Sequence, residues 1–250
     1  MGKMYGIGVG PGDPELLTIK AHRILGEADV IFCPEKKEGA GSFAFDIIKG
    51  FITNPQTEIV NLVYPMHYQG DKLRALWEEN ARCIAGHLAG ERTGAFITLG
   101  DPAVYSTFMY TLPYIEREGV EVEGVPGVPS FCAVAGGMKI PLAAWDEDLI
   151  VAPVRKNSRE NLGTILKEHD NVVLMKPSAD QEALIEALRD NHLEEQFVLV
   201  SKSGTGKERV VTDFAELMQY EIPYLSTVIV KKQGRVMIRP LVAASSDNAR

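Results

Sequence analysis

Three cysteines in 250 residues, Cys33, Cys83 and Cys132, are too few and too scattered for a disulfide framework, and no Cys-x-x-Cys pair offers a zinc or redox site. They read as small buried hydrophobes in a reducing compartment. Long apolar runs are also missing. None approaches the roughly 20 residues that cross a bilayer, and no basic stretch followed by an apolar core opens the chain, so a cytoplasmic protein without a membrane partner is expected. Positive charge is scarce: 26 Lys and Arg against 34 Asp and Glu leave a net charge of −8, which disfavours a nucleic-acid partner because phosphate binding needs a concentrated basic face. His22, His67, His87, His169 and His192 are solitary, with no HExxH or HxxxH spacing, so no protein-bound metal is expected. A Gly-x-Ser-x-Gly elbow is absent, which speaks against a Ser-His-Asp hydrolase.

Two glycine-rich segments come close to familiar phosphate sites and fail. A dinucleotide fingerprint starting at Gly6 or Gly8 needs a third glycine where Pro11 or Asp13 stands. A phosphate loop at Ser203-Gly204-Thr205-Gly206-Lys207-Glu208 would need Gly at Ser201 and a hydroxyl residue at Glu208.

What is present is an alternation of buried strand-like runs and amphipathic helical patterns. Strands are expected at Met4–Val9, Val30–Cys33, Glu58–Val63, Gly94–Leu99 and Val120–Val125, with helices at Thr18–Ala28, Ser42–Lys49, Asp71–Ala89 and Phe108–Arg117. This argues for an N-terminal α/β domain, residues 1–138, with a mainly parallel sheet flanked by helices. Periodicity lapses over a linker at 139–146, where Pro141 interrupts. A smaller α/β domain with a mixed sheet is expected at 147–242, with strands at Asp148–Ala152, Asn171–Met175, Gln196–Val200, Arg209–Val211 and Tyr224–Val230. Its helices are expected at Ser158–Lys167, Asp180–Asn191 and Asp213–Gln219, followed by a fraying tail at 243–250.

Three turns stand out. Gly8-Val9-Gly10-Pro11-Gly12-Asp13-Pro14 and Leu99-Gly100-Asp101-Pro102-Ala103-Val104-Tyr105-Ser106-Thr107 each follow a buried run. Val125-Pro126-Gly127-Val128-Pro129-Ser130-Phe131 follows a third, with Ser130 placed to cap a helix. Glycine permits close approach and left-handed φ, and proline rigidifies. Open α/β sheets bind ligands at such strand exits, so the pattern suggests a small ligand held mainly by backbone groups.

Together these motifs, with Glu15-Leu16-Leu17-Thr18-Ile19-Lys20-Ala21 behind the first, closely resemble the tetrapyrrole (corrin/porphyrin) methylases over roughly residues 3–240. The Tyr105-Ser106-Thr107 ending, Pro34-Glu35-Lys36-Lys37 and Gly41-Ser42-Phe43-Ala44 look most like the C20-methyltransferases of precorrin-2 or cobalt-factor II in cobalamin synthesis. Family members acting at C17, C11 or on uroporphyrinogen III, and a non-catalytic α/β binding module, stay open as alternatives.

The resemblance implies a two-domain homodimer with S-adenosylmethionine (SAM) as co-substrate in the cleft between domains and a tetrapyrrole in a trough of the N-terminal domain. By matching positions, Pro11, Gly100, Asp101, Val104, Tyr105, Ser130 and Phe131 would contact SAM. Met175, Ser203, Gly204, Ser226 and Thr227 would do so from the C-terminal half, although the Ser203-Gly204-Thr205-Gly206 loop departs from the Arg-containing loop of many relatives. Asp101 and Tyr105 are the acid/base candidates, with Asp101 also readable as a turn carboxylate bonded to backbone N–H groups. The acceptor is a polycarboxylate, so Lys36, Lys37, Arg155 and Arg159 are its candidate partners.

Overall fold

A computed structural model describes residues 2–65 and 70–232. His67, the expected tail at 243–250 and the expected end of the second domain lie outside the described residues. The described residues form two compact units, one of residues up to 133 together with 203–207 and one of residues 134–202 with 208–232. The division falls inside a helix at 130–138, before the expected linker, and the 203–207 loop groups with the first unit.

The first unit is a five-stranded parallel sheet: β1 (Lys3–Gly8), β2 (Val30–Glu35), β3 (Glu58–Val63), β4 (Thr93–Thr98) and β5 (Glu121–Val125), in the order β3-β2-β4-β1-β5. Continuous apolar runs such as Val30-Ile31-Phe32-Cys33 are buried because helices cover both faces. On one face α1 (Ile19–Glu27) and α2 (Phe43–Ile48) contribute Ile24, Leu25 and Ile47 to a cluster with Ile7, Ile31 and Ile97. On the other, α3 (Asp71–His87) and α4 (Thr107–Arg117) bring Ile84, Phe108 and Ile115 against Met4, Phe32 and Phe96. A side chain at Gly6 would strike the Phe108 ring at 2.1 Å, so glycine there lets α4 lie close on β1. Thr18, Ser42 and Ser106 cap α1, α2 and α4 through their hydroxyls.

The helix at the division is α5 (Ser130–Met138). The second unit is a mixed sheet of β6 (Leu149–Pro153), β7 (Asn171–Met175), β8 (Phe197–Ser201), β9 (Arg209–Val211) and β10 (Ser226–Lys231), ordered β6-β7-β10-β8-β9. β6 runs parallel to β7, while β10 is antiparallel to both of its neighbours. Its core joins Leu162 and Leu166 of α6 (Arg159–Glu168) and Leu184 and Leu188 of α7 (Gln181–Asp190) to Phe197, Leu199 and Val228, with Leu217 of α8 (Phe214–Gln219). Lys231, almost fully buried, donates to Glu147 at 2.6 Å and Asn171 at 2.8 Å, and Glu147 also accepts from the Ala144 N–H, so the segment before β6 is tied to the sheet. No helix among the described residues is long and apolar enough to cross a membrane.

Candidate functional site

The three turns follow β1, β4 and β5. These strands are adjacent and parallel, so their exits share one end of the first sheet. The turns are bonded to one another through backbone. The Gly10 N–H donates to the Gly100 carbonyl at 3.2 Å and the Gly100 N–H returns to the Gly10 carbonyl at 2.8 Å. Both glycines sit in the left-handed region, at φ of +77° and +66°. A Cβ at Gly8 would lie 2.5 Å from the Gly100 carbonyl oxygen, and one at Gly127 would lie 2.2 Å from the same atom. The three loops thus meet at a distance that only glycine allows.

Asp101 is the side chain that fastens this junction. One carboxylate oxygen accepts from the Ala103 N–H at 2.8 Å within the second turn, and the other accepts from the Gly127 N–H at 3.0 Å in the third. Both oxygens are therefore occupied by amides, the turn-carboxylate arrangement. Val104 and Tyr105 complete the second turn, and Tyr105 takes a left-handed φ of +50°, unusual for a non-glycine residue and concentrated at functional loops. Its side chain is exposed. Directly behind it, the buried Ser106 hydroxyl bonds the Thr98 hydroxyl at 2.9 Å and accepts from the Phe108 N–H at 3.2 Å, so the loop is pinned where α4 begins. Reading the chain alone missed this hydroxyl pair, although a Ser just before a helical pattern is the signal for it.

In the first turn Pro11 is half-buried and Asp13 caps a short 3-10 turn over Pro14–Leu16 by accepting from the Glu15 N–H. Gly12 meets the 203–207 loop: its Cβ would stand 2.3 Å from the Ser203 carbonyl, and one at Gly204 would stand 2.6 Å from the Asp13 nitrogen. Ser203 and Gly204 thus join the first unit's turns rather than remaining with the second unit in which they were expected. Ser130 and Phe131 open α5, whose first turn has the Cys132 and Ala133 N–H groups donating to the Pro129 carbonyl.

In the second unit, Met175 and Thr227 are register partners across β7 and β10, and Ser226 pairs with Ser201 of β8. Ser226 and Thr227 are buried. Lys176, next to Met175, has a left-handed φ of +55°, and burial lowers its pKa. Arg155 is exposed just past the end of β6. Arg159 is committed elsewhere: its guanidinium pairs with Glu186 and Asp190 of α7, each at 2.8 Å, with the Asp190 carboxylate first among the causes that raise its pKa. Arg159, a candidate partner of a substrate carboxylate, thus already has two acidic neighbours on the exposed face of α7.

Lys36 and Lys37 are exposed at the exit of β2, the strand beside β4. The preceding Glu35 is buried, and its two carboxylate oxygens accept from the Gly39 N–H at 3.1 Å and the Gly41 N–H at 3.2 Å. Burial first, then this carboxylate, pushes the Cys33 thiol up to about 12, so Cys33 is an inert core residue. The anchoring by Glu35 is not visible in the sequence, because its amide partners lie four and six residues further on in a loop.

The arrangement brings three glycine-bearing turns together through backbone bonds at one end of the sheet, suited to holding and aligning a small ligand. Comparisons with known proteins bear on which ligand. The family described as Tetrapyrrole (Corrin/Porphyrin) Methylases matches residues 3–218. The chain is 35% identical over 236 residues to the probable cobalt-precorrin-2 C(20)-methyltransferase of Methanocaldococcus jannaschii, covering 93% of this chain and 97% of that protein. It is 33% identical over 234 residues to the cobalt-precorrin-2 C(20)-methyltransferase of Salmonella typhimurium, with the same coverages of 93% and 97%. Among solved structures, the uroporphyrin-III C-methyltransferase of Thermus thermophilus complexed with S-adenosylhomocysteine superimposes with a TM-score of 0.65 at 23% identity, covering 92% of this chain and 98% of that one. At that identity the likeness speaks for the fold.

Proposed function

The chain belongs to the tetrapyrrole (corrin/porphyrin) methylases, and from that premise we propose that it is the SAM-dependent methyltransferase acting at C20 of precorrin-2 or its cobalt-containing counterpart, in cobalamin biosynthesis. The observation that carries this reading is the 35% identity that runs through nearly the whole length of a relative named for that reaction. The same reading takes the protein to be cytoplasmic and a homodimer, the second of which light scattering of the purified chain tests.

The residues fit SAM. Each of the three strand exits carries glycine, and at Gly100 the nearest atom to a would-be Cβ is 3.7 Å away, so the left-handed φ rather than a protein clash requires glycine there. When bound, SAM supplies a sulfonium-activated methyl group, open to in-line attack by an electron-rich meso carbon. The protein's own contribution is then alignment and exclusion of water. Pro11 stiffens the first turn, while Gly100 and Val104 shape the second. Asp101 acts as a positioning residue, because its two oxygens accept from amides of the second and third turns and tie the two together. Tyr105, exposed at the tip of the second turn, is the remaining candidate to pass on the proton that C20 loses. Lys36, Lys37 and Arg155 are the proposed partners of the acceptor's carboxylates.

The deciding experiment incubates the protein with SAM and either precorrin-2 or its cobalt complex, and locates the added methyl by mass spectrometry and NMR. A methyl at C20 is expected. A methyl at another position, or none with either acceptor, overturns the reading.

A further inference from the structure

Residues 36–41, Lys36-Lys37-Glu38-Gly39-Ala40-Gly41, are all exposed, yet this loop is held from beneath by a charged group that is 5% exposed. Burying a carboxylate is costly unless it is hydrogen-bonded, and here each Glu35 oxygen takes one amide of the loop, from Gly39 and from Gly41. Those two glycines have φ of +71° and +76°, and no atom lies within 4 Å of a Cβ built on either. Packing therefore does not demand glycine there. The left-handed turns that aim both N–H groups inward do. A further bond, from the Ala40 N–H to the Lys37 carbonyl at 3.0 Å, closes the loop on itself.

The side chains whose path this device fixes are those of Lys36, Lys37 and Glu38. They stand at the exit of β2, at the same end of the sheet as the Gly100–Tyr105 turn on the neighbouring β4. The whole chain carries a net charge of −8 and would repel a polycarboxylate, so a local pair of cations held in a set shape is worth more at this place than elsewhere. We propose that Glu35 is a positioning residue that preorganises the Lys36–Gly41 loop as a carboxylate-reading element for the tetrapyrrole, acting on substrate affinity through Lys36 and Lys37. This rests on the C20-methyltransferase reading above.

The test compares wild type, Glu35→Gln, Gly41→Ala and a Lys36→Ala/Lys37→Ala double variant, with and without Glu35→Gln. Glu35→Gln turns one acceptor into a donor facing an amide, while Gly41→Ala strains the loop from its solvent side and leaves the carboxylate in place, so it decides the matter if Glu35→Gln does not fold. KM for the tetrapyrrole and kcat are measured together with the SAM dissociation constant by calorimetry, and binding of uroporphyrin III is followed by fluorescence. Each single variant is expected to raise the tetrapyrrole KM and weaken uroporphyrin III binding about tenfold, with kcat and SAM affinity within about twofold of wild type. In the lysine-free background Glu35→Gln is expected to add nothing further, the non-additivity that marks action through those side chains. A tetrapyrrole KM unchanged in the folded variants, a parallel loss of SAM affinity, or full additivity with the lysine changes would overturn the proposal and leave the C20 reading standing. Absence of C20 methylation by the wild-type protein would remove both.

Discussion

Where β1, β4 and β5 end, the first unit is held by amide-to-carbonyl bonds, by glycines in contact and by one carboxylate that accepts from amides, Asp101, whereas where β2, β3 and β4 begin it is held by paired charges. At that opposite end Glu58 lies 3.0 Å from His87 and 3.1 Å from Arg92. Arg92 also donates to the His87 carbonyl at 2.9 Å and the Asp29 carbonyl at 3.3 Å, and Asp29 accepts from the Thr93 N–H at 2.8 Å. One sheet thus carries two kinds of fastening. Ion pairs set strand starts where nothing must approach, and the working end is assembled from backbone, which leaves room for a ligand and adds few fixed charges of its own.

If that contrast is right, the glycine junction is the most fragile point of the unit. Gly127→Ala puts a methyl 2.2 Å from the Gly100 carbonyl, with Gly8 backbone at 2.7 Å on the other side, and rigid backbone cannot yield as a side-chain tip would. A loss of about 3 kcal/mol in denaturant unfolding is expected, the upper range for overpacking, together with loss of measurable SAM binding. A variant that unfolds like wild type would break the account of the junction.

Asp101→Asn is expected to act next most strongly, and in a different place. It keeps the shape and turns one accepting oxygen into a donor that opposes either the Ala103 or the Gly127 N–H. A mismatched, formerly charge-assisted bond costs about 1.5–3 kcal/mol, or roughly a tenfold to hundredfold loss if it is expressed wholly in SAM affinity. Calorimetry with SAM measures this. Were SAM binding intact and only kcat reduced, Asp101 would be an acid/base group and not a fastener. Ser106→Ala removes a cap and leaves Thr98 without its hydroxyl partner, so a stability loss of about 1 kcal/mol and a smaller decrease in SAM affinity are expected.

The contrast between the two ends also explains what could be read from the chain. Periodicity is local, so it gives β3 and β7 to the residue and sets the three turns at strand exits. What hid were pairings across sequence: Gly10 with Gly100, Asp101 with Gly127, and the Ser203–Gly204 loop against Gly12. Charge partners hid as well: Arg159 pairs with Glu186 and Asp190, and Glu35 is the buried anchor of the Lys36–Gly41 loop. Composition reports that a charge exists, but its partner is chosen by the fold.

The mildest prediction tests whether the charged end is truly separate from the working end. Arg92 first, then His87, hold the Glu58 carboxyl below its usual range. A carboxyl lowered in the folded state adds stability that is present above its unfolded value, about 4.3, and is lost as the pH falls through the folded value. Glu58→Gln removes that contribution, so its stability should fall slightly at neutral pH and should depend less on pH than wild type below about pH 4. The unfolding midpoint measured from pH 7 down to pH 3 checks this. Because the Glu58 contacts lie at the starts of the strands and the glycine junction at their exits, SAM affinity and the tetrapyrrole KM of this variant should match wild type at neutral pH. A change in either would mean that charge at the strand starts is felt at the turns.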